Sequence, residues 1–209
     1  FAGEATARVL ASEMSWGERD AEAGRTIMSD YQRVLEEQTL AYYEARCDIV
    51  ADDGFHGACI DLAREAAARM VERHFPPAMT GDYADRFDAL ADEASLDYGL
   101  DCGPMWELGV EALSEEIADA VVKRIAGVRD AIGAPVFDVI EKITFVQTAD
   151  EAWQAHLEVL DAMTAAMGLS PWSHRSAVAD FSARCREAYA GFREGIVDEF
   201  VPRLLDTVE

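Results

Sequence analysis

Residues 136–167 read VFDVIEKITFVQTADEAWQAHLEVLDAMTAAM, and this stretch carries the strongest periodic pattern of the sequence. Its apolar residues recur at intervals near 3.6, the spacing that places side chains on one face of an α-helix. The pattern predicts a single helix over 136–168, about 50 Å long at a rise of ~1.5 Å per residue. One small core does not need a helix of this length, so we interpret it as a strut. Its predicted apolar face consists of Val136, Val139, Ile140, Ile143, Val146, Trp153, His156, Leu157, Leu160, Met163 and Met167.

A helical hairpin is predicted to follow the strut. The strut should end at Gly168-Leu-Ser-Pro171, and Ser176 is the predicted N-cap of a last helix that runs through Phe200. A connection this short folds the last helix back antiparallel to the strut. The predicted tip carries Trp172, and residues 162–193 hold four arginines against two acids in a chain of net charge -23. This region is therefore the basic patch of an acidic protein.

The rest of the chain also shows apolar residues three and four apart, and no segment alternates as a strand would. Helices are predicted at 3–15, 18–51, 57–74 and 82–95, and again from Ser114. One face of the long second helix should contain Ile27, Tyr31, Val34, Gln38 and Tyr42. Turn residues and prolines predict breaks at Asp52-Asp53-Gly54, Pro76-Pro77, Gly99–Pro104 and Gly133-Ala-Pro135. The predicted fold class is all-α.

Composition narrows the classes of function. The chain has 209 residues, of which half are hydrophobic and 28% are charged, as in globular proteins. Forty-one acidic residues against 18 basic ones argue against a nucleic-acid partner and against charge-driven binding to anionic lipid. No apolar run approaches the length of a transmembrane segment. The four cysteines form no Cys-x-x-Cys pair, so they are expected to be small buried hydrophobic residues.

The sequence contains none of the motifs that carry phosphate-binding, dinucleotide-binding, hydrolytic or di-iron chemistry. It therefore predicts no catalytic residue, no metal site and no cofactor in this chain. Asp53 and His56 are interpreted as a capping pair at a helix start. Trp153 and His156 are interpreted as core residues with a hydrogen-bonded imidazole, and a small-ligand face is the alternative. Trp172 should either contact a partner or fold back onto the hairpin.

The segment Thr148-Ala-Asp150-Glu-Ala-Trp153-Gln-Ala-His156-Leu157, followed by Leu160-Asp161, resembles a signature of SecA-type preprotein translocase ATPases. That signature is Leu-Asp-x-x-Trp-x-x-His-Leu-x-x-Met-Asp. In the family it opens a two-helix finger with an aromatic residue at its tip. An alignment without gaps places that aromatic residue at Trp172, and the acidic-aromatic pair of the second finger helix at Asp180-Phe181.

Other segments resemble further parts of the same family, in the same order. Phe75-Pro76-Pro77, Tyr83 and Gly99-Leu100-Asp101 are similar to its helical wing. The long scaffold helix is similar at Tyr31-Gln-Arg-Val34, Gln38, Tyr43 and Arg46, and Phe1-Ala-Gly-Glu resembles the start of that scaffold. The chain departs from the family at Gln32, Arg33, Thr164, Ser170 and Pro171.

The resemblance implies a division into a scaffold helix region at 1–52, a helical wing at 53–113, and a scaffold continuation with the finger at 114–209, its hairpin at about 136–200. It implies that the tip contacts substrate and that two arginines contact the channel or motor, while other positions form the finger signature and its packing. The tip set is Pro171, Trp172, His174 and Arg175; the contact arginines are Arg184 and Arg186; the signature set is Asp150, Trp153, His156, Leu157, Asp161, Asp180 and Phe181.

The implied function is mechanical: to couple the motion of ATPase motor domains in cis to the passage of unfolded preprotein through a SecY-type channel. ATP and magnesium would then belong to the parent motor. The implied location is the cytoplasm, with peripheral association at the cytoplasmic membrane face. The alternative is a freestanding helical adaptor or polypeptide-binding module that derives from such a motor and has no ATPase.

Overall fold

The computed structural model describes residues 25, 29, 32–76, 82–167 and 176–208. Within these residues the chain forms helices and turns without a β-strand, which confirms the predicted all-α class. The helices are α1 (32–51), α2 (Phe55–His74), α3 (Tyr83–Tyr98), α4 (Val110–Ile132), α5 (Ala134–Met167) and α6 (Ser176–Val208), with a short 3₁₀ turn at Gly103–Met105. None of these helices combines the length and the apolar character needed to cross a bilayer.

The predicted breaks between helices lie where the sequence placed them. The Asp52 carboxylate accepts a hydrogen bond from the Gly54 amide at 2.7 Å, which closes the turn before α2. The N-cap of α2 is Gly54 and no side chain caps this helix, so the interpretation of Asp53 and His56 as a capping pair is wrong. Gly133 separates α4 from α5 with φ of 94°, a conformation that favours glycine.

The last helix extends past its predicted end at Phe200 and continues to Val208 through Pro202. A proline inside a helix costs about 3 kcal/mol because it removes a backbone donor and crowds the preceding turn. Four apolar side chains on both sides of the proline are buried and offset this cost: Phe200, Val201, Leu204 and Leu205.

The chain divides into two compact units. Unit 2 consists of Arg46–Ala155 and Gly191–Glu209, and its core forms where α2 packs against α3 and α4. Alanines at 63, 66 and 67 of α2 are fully buried, and small side chains allow α4 to approach closely. The opposing face of α4 presents Leu113, Ile117, Val121 and Ile125, all fully buried and spaced by four residues.

Unit 1 contains the described residues of Phe1–Ala45 together with His156–Ala190. Its buried apolar cluster joins three helices: α1 contributes Val34, α5 contributes Leu160, and α6 contributes Phe181 and Cys185. On α1 the buried face continues through Gln38 and Tyr42, as predicted for the described part of that face. The predicted first helix at 3–15 lies outside the described residues, as do Ile27 and Tyr31.

The first half of the predicted strut face is wrong at three of its five residues, whereas Ile140 packs against the core of unit 2 as predicted. Val136, Val139 and Ile143 are each more than half exposed, at 55%, 55% and 53%. Before Trp153, the buried residues of α5 are instead Phe137, Glu141, Thr144, Thr148 and Ala149. A search for apolar periodicity selected the exposed stripe because three of the five buried residues are polar. The second half, with Trp153, His156 and Leu160 buried, agrees with the prediction.

Candidate functional site

The finger-tip residues Pro171, Trp172, His174 and Arg175 lie outside the described residues. The signature residues are described, and they occur in both units. His156, Leu157, Asp161, Asp180 and Phe181 belong to unit 1, while Asp150 and Trp153 belong to unit 2. Asp161 and Asp180 are exposed, Leu157 is half-buried, and Phe181 is buried beside Leu160 and Cys185.

His156 is the buried polar centre of unit 1. Its side chain is 4% exposed, and its Nε2 atom lies 2.8 Å from Oε1 of Gln38. The Nε2 group of Gln38 in turn donates a hydrogen bond to the Cys185 carbonyl at 3.3 Å. The Tyr189 ring packs edge-on against the imidazole, with ring centroids 5.7 Å apart. These contacts tie the α5 signature to α1 and α6 and confirm the predicted core packing with a hydrogen-bonded imidazole.

The Gln38 contacts show which nitrogen of the imidazole donates a hydrogen bond. The Cys185 carbonyl only accepts hydrogen bonds, so the amide nitrogen of Gln38 must face it. Oε1 of Gln38 therefore faces His156 and accepts a hydrogen bond from the imidazole Nε2–H. Burial lowers the pKa of His156, because desolvation disfavours the imidazolium form. The imidazole is consequently a neutral donor at neutral pH and its role is structural.

Asp150 and Trp153 have corresponding roles in unit 2. The Arg46 guanidinium from α1 donates two hydrogen bonds to Asp150, from Nε at 3.0 Å and from Nη2 at 3.2 Å. A two-bond contact of this kind fixes orientation as well as distance. Trp153 is 6% exposed and its ring meets Phe192 of α6 in a T-shaped contact with centroids 5.6 Å apart. The Trp153 face is thus occupied by protein and does not present a ligand site.

Two aromatic contacts in unit 2 show that α5 and α6 are antiparallel. Phe145 packs against Phe200 at 5.2 Å, and Trp153 packs against Phe192 at 5.6 Å. The later of the two residues on α5 contacts the earlier of the two residues on α6. In unit 1, His156 packs against Tyr189, and Leu160 packs in one cluster with the earlier residues Phe181 and Cys185, which gives the same direction. The described parts of α5 and α6 are therefore antiparallel within each unit, as the predicted hairpin requires.

Exposed arginines lie on the α6 part of unit 1. Arg184 and Arg186 both face solvent, and Arg186 lines a shallow groove of about 300 Å³. Val34 and Ala41 are apolar residues that line the groove, and the exposed Arg33–Glu37 ion pair of α1 lines it as well. These side chains offer hydrogen bonds and charge to a partner, and no nucleophile with an adjacent base is found among the residues that line the groove.

The sequence placed Gln38 on the apolar face of α1 and identified Arg46 as a point of family resemblance, but it did not predict that the two residues bind the signature residues. One signal could have found Gln38: it is a polar residue in the middle of an otherwise apolar helix face, and a buried amide requires a polar partner. His156 is the matching polar residue on the strut face. For Arg46 no such signal exists, because a half-exposed arginine needs no specific partner.

A family model described as the SecA wing and scaffold domain matches residues 17–207. The chain is 27% identical over 188 residues to the protein translocase subunit SecA of Acidiphilium cryptum (strain JF-5), covering 86% of this chain and 20% of that protein. To the protein translocase subunit SecA of Methylococcus capsulatus it is 24% identical over 183 residues, covering 85% of this chain and 20% of that protein. It thus spans about one fifth of the length of these curated relatives. Because the match extends over nearly the whole sequence, the chain belongs to the SecA wing and scaffold domain family.

Proposed function

We propose that this chain is the non-catalytic scaffold, wing and two-helix finger region of a SecA-like protein translocation motor, and that it couples ATPase motion to polypeptide movement through a SecY-type channel. The observation that carries the proposal is the antiparallel α5–α6 pair, whose helices have 34 and 33 residues. At ~1.5 Å per residue each helix is about 50 Å long. A helix pair of that length, held by aromatic contacts, can transmit displacement from one end to the other.

The signature residues support this proposal by the way they hold the strut. Asp150, Trp153 and His156 each bond or pack within the protein, so they keep α5 in a fixed register against its neighbours. The finger tip at Trp172 would then supply an apolar and aromatic surface for a client without fixed sequence. Arg184 and Arg186 would bind acidic loops of the channel or motor domain.

An exposed apolar stripe supports attachment to further protein. Val136, Val139 and Ile143 lie on one face of α5 and are more than half exposed. Large apolar side chains grouped on a surface mark contact sites for other domains or proteins. We assign this stripe to the motor domains in cis. ATP and magnesium would bind there and not in this chain, and the whole protein would be cytoplasmic and peripheral to the membrane.

The test of coupling uses the native polypeptide that contains this chain. Trp172→Ala and Asp150→Asn are each compared with wild type in ATP-driven import of a preprotein into membrane vesicles that contain the SecY-type channel. We expect both variants to lower import, with ATP hydrolysis by the soluble protein retained. Asp119→Asn, which breaks an exposed ion pair with Arg64 that does not line the groove, is the matched control and should import normally. Undiminished import by Trp172→Ala would remove the proposed role of the tip.

The size of the native polypeptide distinguishes this proposal from the freestanding adaptor. An antibody against the chain should detect, in soluble and membrane fractions of the source cell, a band several times heavier than 22.9 kDa. A band near 22.9 kDa would instead support the adaptor without an ATPase.

A further inference from the structure

A cluster of three potential metal ligands lies in unit 2, apart from the signature residues. His56 stands at the start of α2, and Asp138 and Glu141 lie in the first turns of α5. His56 Nδ1 is 2.8 Å from Oε1 of Glu141. One ligand atom from each of the three residues lies within 4.8 Å of the other two, so a small adjustment could place all three around one ion.

Local structure explains why the three side chains meet. Asp138 and Glu141 are three residues apart and therefore share a face of α5. That face is the buried one, on which Phe137 is fully buried and Glu141 is 0% exposed. Because the chain breaks at residues 52–54, α2 begins at Phe55, and its second residue, His56, reaches the buried face of α5. The three residues form no local sequence motif for metal binding, because the imidazole comes from a different helix.

Glu141 supplies the observation that points to a ligand. A buried carboxylate is costly unless both oxygens are paired. Oε1 is paired with His56, and the Cys59 thiol is a weak hydrogen-bond donor to the same carboxylate. Oε2 is nevertheless buried, and among the described residues no group reaches it in hydrogen-bond geometry. The hydrogen bond to the imidazole therefore does not explain how the second oxygen of this carboxylate is stabilised. A cation bound at the cluster would complete it.

Asp138 is already held in place by an outer partner. Arg129, in the last turn of α4, donates from Nε to Oδ1 at 3.1 Å and from Nη2 to Oδ2 at 3.4 Å. A carboxylate has about four acceptor positions, so two remain for a metal ion. Ligand carboxylates in metal sites are commonly oriented by such second hydrogen bonds. The side chains of His56 and Asp138 are 28% and 38% exposed, which gives an ion access from solvent.

We propose that His56, Asp138 and Glu141 bind a divalent transition-metal ion that ties α2 to α5 within unit 2. One imidazole nitrogen and two carboxylate oxygens suit zinc, manganese or iron, whereas calcium and magnesium prefer oxygen ligands alone. Cys59 lies one turn after His56, with its thiol against Glu141, but its sulfur is not among the clustered ligand atoms. The remaining positions of the ion are taken by water.

The test is metal binding by the 209-residue chain after treatment with a chelator. Zn²⁺ is titrated by calorimetry, thermal unfolding is recorded with and without Zn²⁺, and Co²⁺ is added as a spectroscopic probe. We expect one equivalent of Zn²⁺ to bind, the melting temperature to rise, and Co²⁺ to give the visible absorption of a site with low coordination number. Glu141→Gln and His56→Gln should each weaken Zn²⁺ binding by about tenfold or more.

His74→Gln is the matched control. His74 forms a comparable contact with a carboxylate, from Nε2 to Oε2 of Glu93 at 2.6 Å, but it is not part of the three-ligand cluster. This variant should bind Zn²⁺ as wild type does. If wild-type protein takes up no stoichiometric Zn²⁺, or if His74→Gln weakens binding as much as His56→Gln, the cluster is an ion pair only and the proposal is overturned. The Co²⁺ spectrum of wild-type protein keeps the test decisive if Glu141→Gln fails to fold.

Discussion

The hydrogen bond between Gln38 and His156 should contribute measurably to the stability of unit 1. Both side chains are buried, at 8% and 4% exposure, and the Nε2–Oε1 distance is 2.8 Å. Gln38→Met removes the acceptor and leaves the imidazole N–H without its partner. His156→Leu removes the donor and leaves the amide oxygen unpaired. Each substitution should lower the free energy of unfolding by about 1–3 kcal/mol, the cost of a buried polar group that has lost its bond.

The double variant makes the prediction specific to the bond. When both partners are replaced by apolar groups of similar size, neither polar group remains to be desolvated. The loss in the double variant should therefore be close to that of one single variant, not to the sum of both. The coupling free energy should fall in the range of ~0.5–3 kcal/mol found for residues in contact. Changes in packing that affect each residue separately cancel in the cycle.

Urea unfolding followed by far-UV circular dichroism gives the free energies of unfolding of wild type, the two single variants and the double variant, which together form the double-mutant cycle. The exposed Arg33–Glu37 pair of α1, with Nη1–Oε1 at 3.0 Å, is the reference for a contact in water. Its cycle should give only about 0.3–0.5 kcal/mol. If the Gln38 and His156 losses add within about 0.5 kcal/mol, the two side chains do not interact in solution and the description of unit 1 is wrong.

Two further predictions follow from His156 and from Gly99. Burial lowers the pKa of His156 in the folded protein, whereas in the unfolded chain this histidine has its ordinary pKa of about 6.5. Between these two pKa values the unfolded chain binds more protons than the folded protein. The free energy of unfolding should therefore fall as the pH drops through about 6.5 toward the folded pKa. Unfolding of wild type and His156→Leu at a series of pH values should show this component only in wild type; equal pH dependence would contradict it. Gly99 has φ of 61° and an added Cβ would lie 3.0 Å from the Arg124 guanidinium, so Gly99→Ala should destabilise by about 1–2 kcal/mol. Gly127 lies in an open position of α4, and Gly127→Ala should raise the free energy of unfolding by about 0.5–1 kcal/mol, measured by thermal or urea unfolding as for Gly99→Ala. If Gly127→Ala destabilised the protein as much as Gly99→Ala does, the argument from the backbone conformation of Gly99 would be refuted.

Most of the architecture could be predicted from the sequence because helix breaks are local. Asp52-Asp53-Gly54 and Gly133 end or restart helices through turn chemistry and backbone conformation, and both are read from a few adjacent residues. The end of α6 could not be predicted in this way. Pro202 favours a stop locally, but burial of Leu204 and Leu205 in the core of unit 2 outweighs it. That burial depends on helices distant in sequence.

The site was predicted less completely, because its decisive contacts join residues far apart in the chain. Asp150 and His156 were identified, whereas nothing in the sequence paired them with Arg46 and Gln38, their partners in the structure. Glu141 was missed because apolar periodicity assigns a glutamate to the solvent face. When a helix buries polar residues, the apolar pattern of its sequence marks the buried face only weakly. An exposed apolar stripe on the same helix can then show the stronger pattern.

The polar residues of α5 suggest why the strut buries groups that cost stability. The buried Glu141 bonds to His56 and the buried His156 to Gln38, while the half-exposed Asp150 bonds to Arg46, each within its own unit. Apolar side chains would tolerate a shift of α5 by one turn, because one aliphatic contact replaces another. The polar pairs would not, since such a shift would leave buried donors and acceptors unpaired at ~1–3 kcal/mol each. Buried polar pairs are known to fix helix register in this way. If α5 transmits displacement as proposed, a fixed register is the property it needs, because a strut that slips by a turn would lose about 5.4 Å of motion.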